Sequence, residues 1–480
     1  MQPQPPTGRD AAAAGPRLRR LVLVGLAALL VAGLAVGWRV WRDSPDREPV
    51  RTTPLSIQLP INPAELDAEE LGRALGLARR AGVTEVGAGA TWWYLTRGRP
   101  LDSYDWRPLD RLVEAASARG IRVRLQLTGT PDGVHPTLSR AVPDPDLRHW
   151  YPPRTPAELR RWGQFVHATV AHFRGRVRDY EIWNEPNIAA FWRPAPSPAE
   201  YAALLAEGYR SVKQAWPSAR VIFGGLSHND VGYLQRYHAE ARRLFPDAPS
   251  HRYFFDVLSV HPYTDGRSPD ETSPDTVVQG TYGPIDKSFG GLRLMKAVLD
   301  RNQLGGEEKP VLIGEYGFSV TGRSGVAAVP DRRRAYFLKR AVAAAQTMPF
   351  VSGLCWYGFL PDSSTENAWT IASPSGGTSW TYQALVDLAD GHELAVGLPD
   401  ASHLQPGRGA IKPRFGGVNP ADVEHSELYV DGVLQAEADG PEVRWTSAVH
   451  RPAAGHAQLV VYTRGWHTWT SDVVTLTGQN

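Results

Sequence analysis

The chain has 480 residues, 42% hydrophobic and 21% charged, with 46 Gly and 40 Pro, which is the composition of a loop-rich globular protein and not of a disordered or coiled-coil one. Its net charge is +2 and its basic residues are spread along the chain without aromatic-interleaved runs, so nothing in it resembles an electrostatic footprint for nucleic acid. Single cores stop growing near roughly 250–300 residues, so one large folded unit and one small one are expected.

Residues 21–38, LVLVGLAALLVAGLAVGW, are 18 uncharged and mostly apolar residues, just long enough for one membrane-spanning helix. Arg17, Arg19 and Arg20 stand directly before it. Counting Lys and Arg nearby gives Arg9, Arg17, Arg19 and Arg20 before the run against Arg39, Arg42, Arg47 and Arg51 after it, which is a tie. The tight preceding cluster favours a cytoplasmic tail over residues 1–20, a transmembrane anchor over 21–40, a charged and proline-rich tether over 41–54, and a catalytic unit outside the membrane. The alternative is a secreted protein, freed by cleavage at the small residues Ala35 to Gly37, although bulky Trp38 and basic Arg39 follow them.

From residue 55 to 391 short apolar runs alternate with amphipathic helical patterns, as βα units on a parallel sheet do. Candidate strands are Leu55–Pro60, Thr84–Ala90, Arg122–Leu127, Val177–Trp183, Arg220–Gly225, Phe255–His261, Val311–Glu315 and Gly353–Tyr357. Helical patterns lie between them at Ala64–Ala81, Leu109–Gly120, Pro156–Phe173, Pro198–Ala215, Val231–Phe245, Gly291–Asn302, Asp331–Ala345 and Trp380–Leu388. Thr155 to Glu158 and Ser197 to Glu200 both have capping-box spacing with Pro at the first helical position. Eight such units predict a (β/α)8 TIM barrel, whose chemistry sits at the carboxyl ends of the strands.

The sole cysteine, Cys355, excludes an intrachain disulfide and reads as a buried strand residue. Over residues 392–480 the pattern becomes short alternating runs: Ser426–Val430, Val433–Ala438, Glu442–Thr446, Gln458–Thr463 and Trp466–Leu476. Asp431-Gly432 marks a hairpin, and a small accessory β-sandwich of roughly immunoglobulin type is expected. Its first reading is a brace for the barrel. Its second is a glycan-binding surface, provided that Trp445, Trp466 and Trp469 share one exposed face.

Retaining cleavage of a glycosidic bond needs two carboxyl groups about 5–5.5 Å apart, one to protonate the leaving oxygen and one to attack the anomeric carbon. Glu185 lies in DYEIWNEPN, residues 179–187, just past the fourth strand, and Glu315 in PVLIGEYG, residues 310–317, at the end of the seventh. The run Trp183 to Asn187, WNEPN, resembles the acid/base motif of the clan A glycoside hydrolases. The wider stretch from Glu181 through Phe191-Trp192, Glu200-Tyr201 and Gly224-Gly225 is similar to family 39 and its membrane-linked exopolysaccharide hydrolases, and the resemblance covers residues 55–390.

That resemblance implies Glu185 as acid/base and Glu315 as nucleophile, with the carboxyl of the acid held higher than that of the nucleophile. It further implies that Asn184 bonds the sugar 2-hydroxyl, that Tyr263 bonds the nucleophile, that His261 lies near the acid, and that Trp356 forms the floor beneath the sugar. Trp92, Trp93 and Trp192 are additional candidates for sugar stacking. The mechanism asks for no metal or cofactor, and the 14 histidines show no HExxH spacing.

Two departures stand out. Many clan members carry a second-strand arginine that supports the nucleophile, but residues 84–92 read TEVGAGATW, with Gly87 and no arginine. The third strand runs on as LTGTP and then DGV, without the aromatic residue often found there. The function expected is a retaining glycoside hydrolase of a β-linked polysaccharide or oligosaccharide, and the alternatives are a membrane-anchored glycan-binding protein on a degenerate barrel and a transglycosylase remodelling an envelope or exopolysaccharide. A monomer is expected.

Overall fold

The computed structural model describes residues 53–59, 66–272, 274–304, 307–322, 326–360, 367–372, 379–391, 395–397, 404, 410–415, 418–446 and 454–477. The expected anchor over 21–40 and its flanks lie outside these residues. Among the described residues no helix is long and apolar enough to cross a membrane.

Eight parallel strands close into a barrel: β1 (Leu55–Gln58), β2 (Glu85–Thr91), β3 (Arg122–Thr128), β4 (Asp179–Ile182), β5 (Arg220–Ser227), β6 (Val257–His261), β7 (Val311–Tyr316) and β8 (Val351–Trp356). Closure comes from β1, which pairs with β2 on one side and with β8 on the other, setting Ser56 opposite Glu85 and Cys355. The helices are α1 (Ala68–Arg80), α2 (Arg107–Ser117), α3 (Pro156–His172), α4 (Pro198–Ala215), α5 (Val231–Leu244), α6 (Leu292–Asn302), α7 (Asp331–Gln346) and α8 (Trp380–Asp390). Every expected strand and helix of the barrel is present, with ends shifted by a few residues.

Local chemistry starts the helices. The capping box at α3 is complete, with Thr155 accepting from the Glu158 amide and Glu158 accepting from the Thr155 amide. At α4 only half of the expected box forms. Ser197 accepts from the Glu200 amide, but the Glu200 carboxylate turns away to accept from Arg154 Nε at 2.9 Å and Trp192 Nε1 at 3.2 Å. The side chain leaves its cap because two charged or polar donors offer it more than one amide does.

The main core lies between the barrel and its helices and includes Leu75, Leu125, Trp162, Ile182, Val212, Leu258 and Ile313. Inside the barrel Ile222, Val257 and Leu312 form a separate small apolar cluster. The rest of the interior is polar, as the buried Arg124, Gln126, Glu181, Ser259 and His261 show. A short antiparallel ribbon, Val277–Gly280 with Gly283–Asp286, follows β6 and pairs with Asn229–Asp230. It falls in a stretch rich in Pro, Gly and Asp where no alternation is legible in the sequence.

The C-terminal part corrects the expected sandwich. Its strands β9 (Ala395–Gly397), β10 (Arg414–Phe415), β11 (Val423–Val430), β12 (Val433–Asp439), β13 (Ala454–Thr463), β14 (Thr468–Ser471) and β15 (Val474–Thr477) belong to one seven-stranded sheet. The long β13 takes both β14 and β15 on one side and β11 on the other, so among the described residues a second layer is not built from strands. The run Glu442–Thr446 contributes only a bridge from Val443 to Ile411. The hairpin is as expected: Asp431 and Gly432 both have positive φ, 49° and 79°, as a tight turn between β11 and β12 requires.

The second layer is the barrel itself. Tyr429, Val460 and Tyr462 of the sheet join the barrel's core. Arg333 of α7 donates from Nη2 to Glu427 Oε1 at 2.6 Å, and Tyr429 and Tyr462 donate to the other oxygen at 2.8 and 2.6 Å. Glu427 is fully buried, so these donors replace all its water. Trp445 and Trp469 pack inside the sheet's own cluster and only Trp466 is exposed, which removes the coplanar aromatic surface that glycan binding by this part required. Arg333→Met leaves Glu427 buried without its cation and is expected to lower stability by about 3 kcal/mol in urea unfolding. The double change Arg333→Met with Glu427→Gln recovers most of that loss, because no unpaired charge then remains.

Candidate active site

The loop after β4 is held in an unusual backbone shape. Trp183 and Glu185 have φ of 73° and 39°, left-handed values that non-glycine residues avoid. Hydrogen bonds donated by the Trp183 amide to the Leu127 carbonyl at 2.8 Å and by the Glu185 amide to the Gly225 carbonyl at 3.0 Å hold it there. Asn187 adds a clamp to the end of β5, donating to the Ser227 carbonyl at 3.0 Å and accepting from the Ser227 amide at 2.9 Å.

The pair Gly224-Gly225 on β5 makes this turn possible. A β-carbon on Gly224 would lie 2.6 Å from the Ile182 carbonyl oxygen, and one on Gly225 would lie 2.0 Å from His261 Nε2. One glycine admits the backbone of the turn and the other admits the imidazole beside it.

At the carboxyl ends of β4, β6 and β7 the site converges. His261 Nδ1 is 2.9 Å from Glu185 Oε1 and 3.6 Å from Glu315 Oε2, and carboxylate oxygens of both glutamates lie within 4.8 Å of each other and of the ring. Tyr263 donates its hydroxyl to Glu315 Oε2 at 3.0 Å. Gln126 Nε2 donates to Asn184 Oδ1 at 3.1 Å, which leaves the Asn184 amide nitrogen as the group free to donate.

Burial works against a charged ring at His261, but the carboxylates of Glu315 and then Glu185 outweigh it and push its pKa up to about 9. A cation therefore sits between the two acids. For Glu315 burial pushes the carboxyl up, His261 pulls it down, Glu185 pushes it up and the Tyr263 hydroxyl pulls it down, with a net rise. This differs from the expected low nucleophile. Two carboxylates share a single positive ring in a dry pocket, and one cation does not fully balance both.

The aromatic candidates divide. Trp92 stacks on Phe165 at 5.3 Å behind β2, and Trp192 packs edge-on against Trp183 and Tyr201. Both are buried against the helices, so neither presents a face to a sugar. Trp356 ends β8, but Tyr316 and Phe318 pack against it and it is 1% exposed, leaving no open face for the expected floor in this structure. Half-buried aromatics stand elsewhere at this end of the barrel: Trp93, stacked on His149 at 4.0 Å, and Trp369, edge-on to Tyr263 at 5.8 Å and Tyr357 at 5.5 Å.

Glu185, His261 and Glu315 also have the spacing of a metal site, as do His425, Glu427 and Glu437 in the sheet. In the second group Arg333 already supplies the cation, at 2.6 and 3.1 Å from the two glutamates. In the first the charged His261 fills that role. A cavity lined by Glu85, Arg122, Asp179 and Arg220 opens at the opposite, amino end of the strands, the face that serves stability in such barrels.

Arg124, Gln126 and Glu181, all buried in the barrel interior, are not among the expected site residues. The signal was present in β3, where Arg122, Arg124, Gln126 and Thr128 alternate with Val123, Leu125 and Leu127. A strand with polar residues at every second position inside a closed barrel marks an interior that is not filled by apolar side chains.

No family model matches the chain. A β-xylosidase of Geobacillus stearothermophilus is 30% identical over 173 residues, 34% of this chain and 31% of that enzyme, so the match spans about a third of the relative. Among solved structures, a family 39 glycoside hydrolase of Bacteroides cellulosilyticus superposes with a TM-score of 0.52 at 18% identity, over 83% of this chain and 80% of the other. A monomeric β-xylosidase of Caulobacter crescentus gives 0.51 at 16% identity, over 87% and 75%. These two likenesses concern the fold. Barrel architecture, the local sequence match and the position of WNEPN after the fourth strand agree, and the chain resembles the clan A (β/α)8 glycoside hydrolases, family 39 in particular.

Proposed function

We infer that this chain is a retaining glycoside hydrolase acting on a β-linked polysaccharide or oligosaccharide, with Glu185 as acid/base and Glu315 as nucleophile. The observation that carries this reading is the approach of the two carboxylates at the open end of the barrel, with oxygens within 4.8 Å and His261 between them. That approach suits direct attack on the anomeric carbon by one carboxylate while the other serves the leaving oxygen.

In the first step the proton shared between His261 Nδ1 and Glu185 Oε1, 2.9 Å apart, passes through Glu185 to the leaving oxygen as Glu315 attacks the anomeric carbon, forming a glycosyl ester. In the second Glu185 takes a proton from water, which attacks the same carbon and frees Glu315. The Tyr263 hydroxyl holds Glu315 Oε2 and leaves the other oxygen to react. Asn184, oriented by Gln126, offers its amide to the sugar 2-hydroxyl. The apolar run 21–38 behind Arg17, Arg19 and Arg20 supports placing this chemistry outside the cytoplasmic membrane on a single anchor.

Product release from a panel of plant and microbial polysaccharides and aryl glycosides, β-xylosides among them, tests the reading by mass spectrometry. Glu315→Gln is expected to lose at least about 10³-fold in kcat while folding normally. Products longer than the substrate would identify transglycosylation, and no turnover of any substrate by the folded wild type would favour a glycan-binding role. Glu185→Ala is expected to keep attack on substrates with good leaving groups and to form a glycosyl azide of retained configuration when azide enters the vacated space.

The charge on His261 has its own consequence. Its folded pKa is raised from about 6.5 to about 9, so its proton stabilises the folded state. That contribution is complete below about pH 6.5 and is lost as pH rises through about 9. Urea unfolding of the wild type is therefore expected to weaken across this window more than that of His261→Asn, and parallel curves would refute the charged ring.

A further inference from the structure

Arg124 and Glu181 form an ion pair inside the barrel, with side chains 2% and 0% exposed. Burying two charges costs more than burying apolar groups of the same size, so the pair contributes little to stability by itself. Its surroundings connect it to the site. Towards β2 the guanidinium lies in the space that Gly87 leaves open: a β-carbon there would be 2.8 Å from Arg124 Nη2 and 2.2 Å from Gln58 Oε1. Towards β7 the same Nη2 points at the Gly314 carbonyl at 3.4 Å, one residue before Glu315.

Glu181 carries the pair to β5, accepting from the Gly225 amide at 2.9 Å, the residue whose missing side chain admits His261. One ion pair thus touches the backbone beside Glu315 and the backbone beside His261. The charged and titratable groups facing Arg124 are Glu181, Cys355, Glu85 and Glu315, and those facing Glu315 are His261, Glu185, Tyr263 and Glu181.

We propose that Arg124 is the positioning residue for the nucleophile, reaching from β3 into the place of the arginine that β2 lacks, with Gly87 as its slot and Glu181 as its counter-ion. The proposal rests on Glu315 being the nucleophile. The guanidinium braces the β7 backbone at Gly314 and sets a fixed positive charge below Glu315, favouring its ionised, attacking form. Without it the Glu181 carboxylate stands unbalanced beneath both His261 and Glu315.

The test compares the full-length wild type with Arg124→Gln, which removes the cation and leaves a polar side chain beside Glu181, and with Gly87→Ala, whose β-carbon takes the guanidinium's space. The pH at which Glu315 becomes reactive to a carbodiimide, read by peptide mass spectrometry, reports its protonation without any turnover. The expected result is a midpoint raised by about one unit in both folded variants, a roughly tenfold rise in protonated fraction above the midpoint. On the best substrate of the panel, kcat falls with KM little changed and the acid limb of the rate profile moves up. Midpoints matching the wild type in both variants would overturn the proposal. Glu315-dependent turnover without a shift would leave the hydrolase standing and sink Arg124, whereas a shift without turnover by the wild type would do the reverse.

Discussion

Closure of the parallel sheet through β1 and β8 sets where the ends of all eight strands stand, and the candidate active site is a consequence of that ring. Strands β5 and β6 lie between β4 and β7, so Glu185 and Glu315 face each other across a gap of two strands. β6 fills the gap with His261, and β5 makes room for it by having no side chain at Gly225. An open sheet would leave those ends free to splay and the imidazole without its two acids.

The interior of the ring departs from the apolar filling usual in such barrels. Ile222, Val257 and Leu312 form one small cluster, and above it stand Arg124, Glu181 and Gln126. In a space that excludes water each of these groups needs a partner. Arg124 takes Glu181, Glu181 also takes the Gly225 amide, and Gln126 takes Asn184. The polar interior and the carboxylates of Glu185 and Glu315 therefore form one electrostatic system, in which the state of any member depends on the others.

The C-terminal sheet follows the same physics at larger scale. Glu427 is buried where the sheet meets α7, and Arg333, Tyr429 and Tyr462 supply its donors. Together with the shared apolar contacts of Val460 and Tyr462, this makes the sheet a partner of the barrel wall. Trp445 and Trp469 are packed inside it and Trp466 stands exposed by itself, which fits the bracing role better than that of a sugar-binding face.

Much of this was legible in the chain itself. Period-2 and helical patterns placed all eight βα units because each repeats the same local contrast between buried and exposed positions, and WNEPN placed Glu185 because Pro186 stops a strand there. The aromatic assignments were not legible: Trp92, Trp192 and Trp356 look alike in sequence, and only packing decides whether a ring faces a cleft or a helix. A single sheet could not be told from a sandwich either, since alternation records that one face is covered and not what covers it. The arginine missing from β2 is the sharpest case. Local sequence showed the gap at Gly87, whereas its filling by Arg124 is a contact between neighbouring strands, and only the register of β2 on β3 brings the two together.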